Sequence, residues 1–336
     1  MVVWAHGRAT LLGYGGERHD PGTGSGRYER AARILGSTGR DIGFASFTFD
    51  PDEEGSVVVI PEEVVSITTR GIPAGPPSHP AVRVVCDGIE TWKVGLVGAQ
   101  GAIAEGIVEK VVLARQVELE VSPGPHLPTV AEGLRVEGPS SYTFVIEGLV
   151  GCSPELLVSL RAGRLTSLAL AGSATDQRGL GSNKMRREHS ITVESVRAGL
   201  REHVRFLDED SEETLVFGAI HHLGTRLGGR AASGTSVTGV LADLHPTAAV
   251  AGSPISSAVD LIRRMEPRSR GRYAGPVGWF RPTGEGEFAI ALRCGVIDGE
   301  RALLYAGGGI VEGSDPDEEL AETEMKLAPM LSALGT

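Results

Sequence analysis

The chain has 336 residues, 41% hydrophobic and 22% charged, ordinary values for a globular protein of one large domain or two average ones. Its net charge of −11 argues against a nucleic-acid partner, since such proteins present a basic face to the phosphate backbone. No apolar run approaches the roughly 18 residues a membrane helix needs, so no membrane association is expected. The opening segment MVVWAHGRATLLG lacks a basic flank and a cleavage site, which leaves cytoplasm as the expected location. Cys86, Cys152 and Cys294 are odd in number, form no CxxC pair, and read as reduced thiols.

In chain order, residues 1–95 alternate Gly/Pro-rich breaks with short apolar runs such as Gly43–Phe49 and Val57–Ile60, a pattern of short strands. The stretch 71–80, GIPAGPPSHP, is the best linker candidate between this part and 96–336. Residues 98–108 suit a helix, with Ile103 and Ile107 four apart. KVVLARQVELEV then alternates as a strand, with Val111, Leu113, Val117, Leu119 and Val121 on one face and Lys110, Val112 and Ala114 on the other.

Strands at 156–161 and 165–170 flank a turn at Ala162–Gly163. A helix over 188–207 carries the stripe Val193, Val196, Leu200, Val204 and Leu207, and another fits 256–266. EFAIALRCGVI and RALLYA flank Asp298–Gly299, a hairpin signal. A last helix at about 316–334 turns Leu320, Leu327, Met330, Leu331 and Leu334 inward. Clustered strands with irregularly spaced helices predict an α+β fold.

Several residues carry chemistry that a core does not require. Glu155, in SPELL, opens an apolar strand; facing a cavity it would serve as a general acid, and otherwise it is an exposed strand end. A lysine at Lys110 that faced a pocket would act as a base, the alternative being a solvated strand end. Arg293 reads as lying on a strand face of small residues, Ala289, Ala291 and Gly295, with room for a carboxylate ligand. AGGGIVEGSDP at 306–316 reads as a glycine-rich turn whose amides approach an anion.

Glu188 and Glu322, on separate helices, suit Mg²⁺, which takes a few carboxylates plus water and substrate oxygens. Helix-start charge and an i,i+4 ion pair of Glu322 with Lys326 are the structural alternatives. His245 precedes a proline and would orient a ligand hydroxyl or sit satisfied in the core. Alternation points His221 and His222 to opposite faces, which does not suit a metal pair.

The motifs KVVLAR, SPELL, LAGSA, REHS, HHLGT, LHPTAAVAG, RGRYAGPVGW, EFAIALRCG, LYAGGGIVEGSDP and ETEMKL follow one another between 110 and 327. This series resembles the chorismate-utilising enzymes: the anthranilate, aminodeoxychorismate, salicylate and isochorismate synthases. The resemblance implies a single α+β domain of large antiparallel β-sheets layered with helices, with chorismate as substrate, Mg²⁺ as cofactor and a monomeric state. It implies Lys110 as the base that activates water and Glu155 as the acid that protonates the departing C4 hydroxyl. It makes Glu188 and Glu322 the metal ligands. His245, Tyr305, Arg293, Lys326, Gly172, Ser173 and the loop Gly307, Gly308 and Gly309 become substrate contacts.

A lysine at 110 is similar to the members that use water rather than ammonia. LHPTAAVAG and RGRYAGPVGW look like isochorismate synthases in particular, serving a siderophore or menaquinone route. A salicylate synthase and a non-catalytic chorismate-binding relative are the competing expectations. The sequence departs from the pattern at Met185, where an aspartate is usual, at Cys152, at Gly308, and in a shortened interval between LAGSA and REHS.

Overall fold

The computed structural model describes every residue except 69–70, 74, 76–79, 139, 175–178, 218–219 and 336, and all but the side chain of 137. The linker candidate 71–80 and the shortened interval before REHS therefore lie partly outside the described residues. Among those described, the strands form two antiparallel 10-stranded sheets.

The first sheet runs Gly252–Ser253, Lys110–Ser122, Arg301–Val311, Cys294–Asp298, Leu149–Ser153, Tyr142–Ile146, Val2–His6, Ala9–Tyr14 and Glu63–Ile67; Ala81–Cys86 also pairs with Lys110–Ser122. The second runs Asp208–Glu209, Ile220–Arg230, Arg164–Ala174, Leu156–Arg161, Gly286–Ile290, Pro276–Phe280, Gly43–Ser46, Val57–Ile60 and Glu17–His19; Glu213–Phe217 also pairs with Ile220–Arg230. The first 95 residues thus contribute strands to both sheets. One core cluster spans residues of both sheets, including Val111, Phe144, Leu157, Leu168 and Phe288. A second packs the helices Leu127–Glu137 and Pro316–Leu334 on the first sheet, through Leu134, Leu327, Met330 and Leu334 against Val117, Leu119 and Leu304. The α+β expectation holds. Among the described residues, no helix is long and apolar enough to cross a membrane.

The alternating run at 110 is a strand, Lys110–Ser122, as its period of two requires. The helix expected at 98–108 instead spans Ile89–Ala104. Its buried residues Trp92, Leu96, Ala99 and Ala102 carry the stripe, but exposed Val94 and Val97 blur the period that would have shown its start. The helix expected from 188 begins at Asn183, capped by Ser182, whose hydroxyl accepts from the Met185 amide. Glu188 therefore sits beyond the first turn, where a helix-dipole role has faded. On the last helix Leu327, Met330 and Leu334 are buried, whereas Leu320 and Leu331 are only half-buried.

The hairpin near the end closes with Asp298 opposite Arg301, and Gly299, at φ +59°, takes the first of the two loop positions. EFAIALRCGVI is not one strand. Gly286–Ile290 belongs to the second sheet and Cys294–Asp298 to the first, and the chain crosses between them through Ala291–Arg293. Arg293 takes the left-handed φ of +46° in that crossing, so it does not sit on a strand face with Ala289 and Gly295. Leu149–Ser153 and Leu156–Arg161 make the matching passage through Pro154–Glu155. The two crossings are tied together: Cys152 N donates to Arg293 O at 3.2 Å, and Ile290 N to Glu155 O at 3.2 Å.

Candidate active site

A cavity with about 700 Å³ of space, partly open to solvent, lies where the two crossings meet the strand Arg301–Val311. Glu155 and Arg293 reach it from the crossings, Gly172 and Ser173 from the strand Arg164–Ala174, and Glu188 and Lys326 from two helices; Tyr305, Gly307 and Gly309 complete that wall. Nine of the residues named from the sequence are thus lining groups, brought together from positions 155 to 326.

Glu155 is buried with no charged group bonded to its carboxyl among the described contacts. Burial pushes its carboxyl up to about 8, against the opposing pull of Lys110 and Lys326. Arg293 donates to His222 Nε2 at 2.9 Å, and burial pulls its guanidinium down to about 10. No carboxylate pairs with it among the described residues. His222 also lies 3.2 Å from Ser173 Oγ through Nδ1, and burial with the Arg293 charge holds its imidazole well below the usual range. A neutral ring with Nε2 accepting from Arg293 satisfies every contact. Gly172, at φ +73°, forms the β-bulge that turns Ser173 toward this pair.

Lys110 and Glu322 stand directly behind the lining. The Lys110 ammonium, wholly buried, lies 3.1 Å from Glu188 Oε1, and Lys326 donates to Glu322 Oε1 at 2.5 Å and to Gly307 O at 2.9 Å. The Lys326 and Glu322 side chains are only 19% and 16% exposed, so this is no ordinary surface pair. Lys184 donates to buried Glu319 at 2.6 Å, and the fields of Glu319, Glu188 and Glu322 all raise its ammonium. Three carboxylates and three lysines therefore gather in this region, of which Glu188 and Lys326 line the cavity. Glu188 and Glu322 offer hard oxygen donors of the kind Mg²⁺ takes. A Cβ at Gly309 would stand 2.4 Å from Glu188 Oε1, so the glycine is what leaves that carboxylate its space. Each of the two carboxylates already meets a lysine, Lys110 or Lys326, and no group of three or more acidic, histidine or cysteine side chains converges for an ion among the described residues, so the match to Mg²⁺ is one of donor type.

Three readings are corrected. Gly307, Gly308 and Gly309 are not a loop; they lie within a strand, opposite Ala114, Leu113 and Val112. They leave room in the wall: a Cβ at Gly307 would meet Tyr273 Oη at 2.7 Å. Gly308 points away from the cavity toward Glu319, as the alternation of a strand demands. His245 does not line the cavity either. Its Nδ1 is 3.3 Å from Tyr28 Oη and its Nε2 3.0 Å from Ala274 O, and burial drives its imidazole down to about 3. It is a neutral structural histidine, and Ala249 and Val250 of the same motif line the cavity instead.

His222, Tyr273, Lys184 and Glu319 were not named as site residues from the sequence. HHLGT and RGRYAG marked the first two regions without singling out a side chain. Glu319 is one helical turn before Glu322, a spacing that would have pointed to it.

Comparison with known proteins gives the family. The family model described as "Chorismate binding enzyme" matches residues 73–335. The chain is 37% identical to the isochorismate synthase MenF of Bacillus subtilis over 73% of its own length and 56% of the relative's. The match thus spans little more than half of that relative. A crystal structure from Bacillus anthracis, assigned as a 2,3-dihydroxybenzoate-specific isochorismate synthase, superposes with a TM-score of 0.89 at 29% identity, covering 99% of this chain and 96% of that one. The menaquinone-specific isochorismate synthase MenF of Escherichia coli superposes with a TM-score of 0.85 at 25% identity, over 100% and 88% of the two chains. With the family model covering most of the length and the motifs converging on one cavity, the chain belongs to the chorismate-binding enzyme family.

Proposed function

We propose that the chain is an isochorismate synthase, moving the hydroxyl of chorismate from C4 to C2. The observation that carries this reading is Glu155: a carboxyl kept protonated by burial, facing the same cavity as an unpaired guanidinium and backed by the Lys110–Glu188 pair. In this reading Lys110, in its free-amine form, takes a proton from the water that attacks C2. Glu155 gives its proton to the C4 hydroxyl, which leaves as water while the ring double bonds shift. Arg293 and Lys326 hold substrate carboxylates, with the neutral His222 keeping the guanidinium in place. Glu188 and Glu322 would hold Mg²⁺, which when bound supplies positive charge at the ring carboxylate.

A lysine at 110 supports water rather than ammonia as the nucleophile. Relatives named for a 2,3-dihydroxybenzoate route and for a menaquinone route both match, and the product would serve either.

The test is product analysis after incubation with chorismate, with Mg²⁺ and then with EDTA. Isochorismate formed only with magnesium is expected. Salicylate with pyruvate would make the chain a salicylate synthase, and chorismate binding without turnover a silent relative. Gly309→Ala gives a separate check on the site. Its methyl group would stand 2.4 Å from Glu188 Oε1 and 3.0 Å from Lys110 Cε, forcing the pair apart. Turnover should fall about 100-fold, as a misplacement of an ångström does, with the far-UV circular dichroism unchanged.

A further inference from the structure

The strand Lys110–Ser122 has a gap along one edge. Gly252–Ser253 pairs with it at Lys110 and Val111, Val112 N donates to Ala251 O at 2.9 Å, and Ala81–Cys86 begins to pair only at Glu118. Between them, the Val112 carbonyl and the Ala114 amide point outward with no strand beside them. A buried ion pair fills the gap. Glu266, the residue that caps the helix Ile255–Met265, accepts from Ala114 N at 2.8 Å, and Arg270 donates to Val112 O at 2.7 Å. The two side chains, 4% and 1% exposed, are bonded to each other through Arg270 Nε at 3.0 and 3.1 Å. Together they present a donor and an acceptor to the open edge, as a neighbouring strand would.

Arg270 does more than close the edge. Its Nη1 donates to Val250 O at 2.8 Å, and its backbone carbonyl accepts from Tyr273 N at 3.0 Å. Its guanidinium lies over the Phe49 ring, 4.4 Å from the centroid. Val112, Val250 and Tyr273 all line the cavity, from three separate segments. Tyr273 in turn stacks on Tyr305, with centroids 4.7 Å apart and planes within 4°.

We infer that Arg270, held by Glu266, is a positioning residue for the reaction, fixing the wall formed by Val112, Val250 and Tyr273 relative to Lys110. Val112 is two residues from Lys110 on the same strand face, so a shift of its carbonyl carries the lysine with it. The inference rests on the isochorismate synthase reading.

The test uses Arg270→Lys and the paired replacement Glu266→Gln with Arg270→Met. Lysine keeps the charge beside Glu266 but offers no planar fork to reach Val112 O and Val250 O together. The Gln/Met pair removes both buried charges, a change that buried pairs tolerate better than the loss of one. Each protein is followed by thermal melting and by kcat and KM for chorismate. Melting should stay near wild type in at least Arg270→Lys, kcat should fall about 10- to 100-fold, and KM should change by less than about threefold. A purely structural pair would lower the melting temperature and leave kcat of the folded fraction alone. Wild-type kcat in a folded variant overturns the inference. Wild-type protein that makes no isochorismate would instead overturn the reading beneath it, whatever the variants do.

Discussion

Lys110→Ala is expected to lower hydroxyl exchange by about 10²- to 10⁴-fold, the range of a lost general base, while chorismate still binds. The lysine is wholly buried, so alanine leaves a void beside Glu188 and thermal melting must be followed beside turnover. Its nearest charged neighbour is Glu188, 3.1 Å away, and the variant leaves that carboxylate intact. Cation affinity should therefore stay the same or tighten, because a competing ammonium has gone. Calorimetry with Mg²⁺ and with chorismate, beside a turnover assay, separates the two effects. Activity within tenfold of wild type would remove Lys110 from the chemistry.

Glu155→Gln should cost a similar factor, and it makes a second claim about pH. The folded protein keeps the Glu155 proton up to about pH 8, against a usual value of 4.5. Turnover that needs this proton should decline as pH rises through about 8. Stability follows the same sign. Between the two values the folded state binds a proton that the unfolded chain releases, so this group makes wild type progressively less stable as pH rises. Glutamine has nothing to titrate, so the variant should gain on wild type in melting temperature from pH 5 to pH 8. A constant difference across that range would show that Glu155 is ionised when folded.

What could be read from the residues was whatever had a period or a familiar order. Lys110–Ser122 announced itself by strict alternation, and the order of the motifs joined segments that local composition would have left as strand ends and surface pairs. The glycine run was misread because a turn and a strand that must leave space use the same residue. Only the partners, Glu188 beside Gly309 and Tyr273 beside Gly307, decide between them. His245 was misread because a buried imidazole between a phenol and a carbonyl looks, in sequence, like one that meets a ligand. Arg293 was placed on a strand because nothing in ALRCG marks where the chain leaves one sheet for the other. His222 reads in the sequence only as half of a histidine pair, because its importance comes from Arg293, 71 residues away.

The paired crossings have a mechanical consequence. The chain links the sheets a second time through Gly15–Gly16 and Pro61–Glu62, where Glu62 N donates to Tyr14 O at 3.0 Å, so two bonded seams resist rocking of one sheet against the other. Glu155 and Arg293 sit on the first seam, whereas Lys110, Glu188 and Lys326 come from a strand and two helices. Two side chains of the cavity wall therefore stand on backbone tied to both sheets at once, the most restrained chain that the fold offers them.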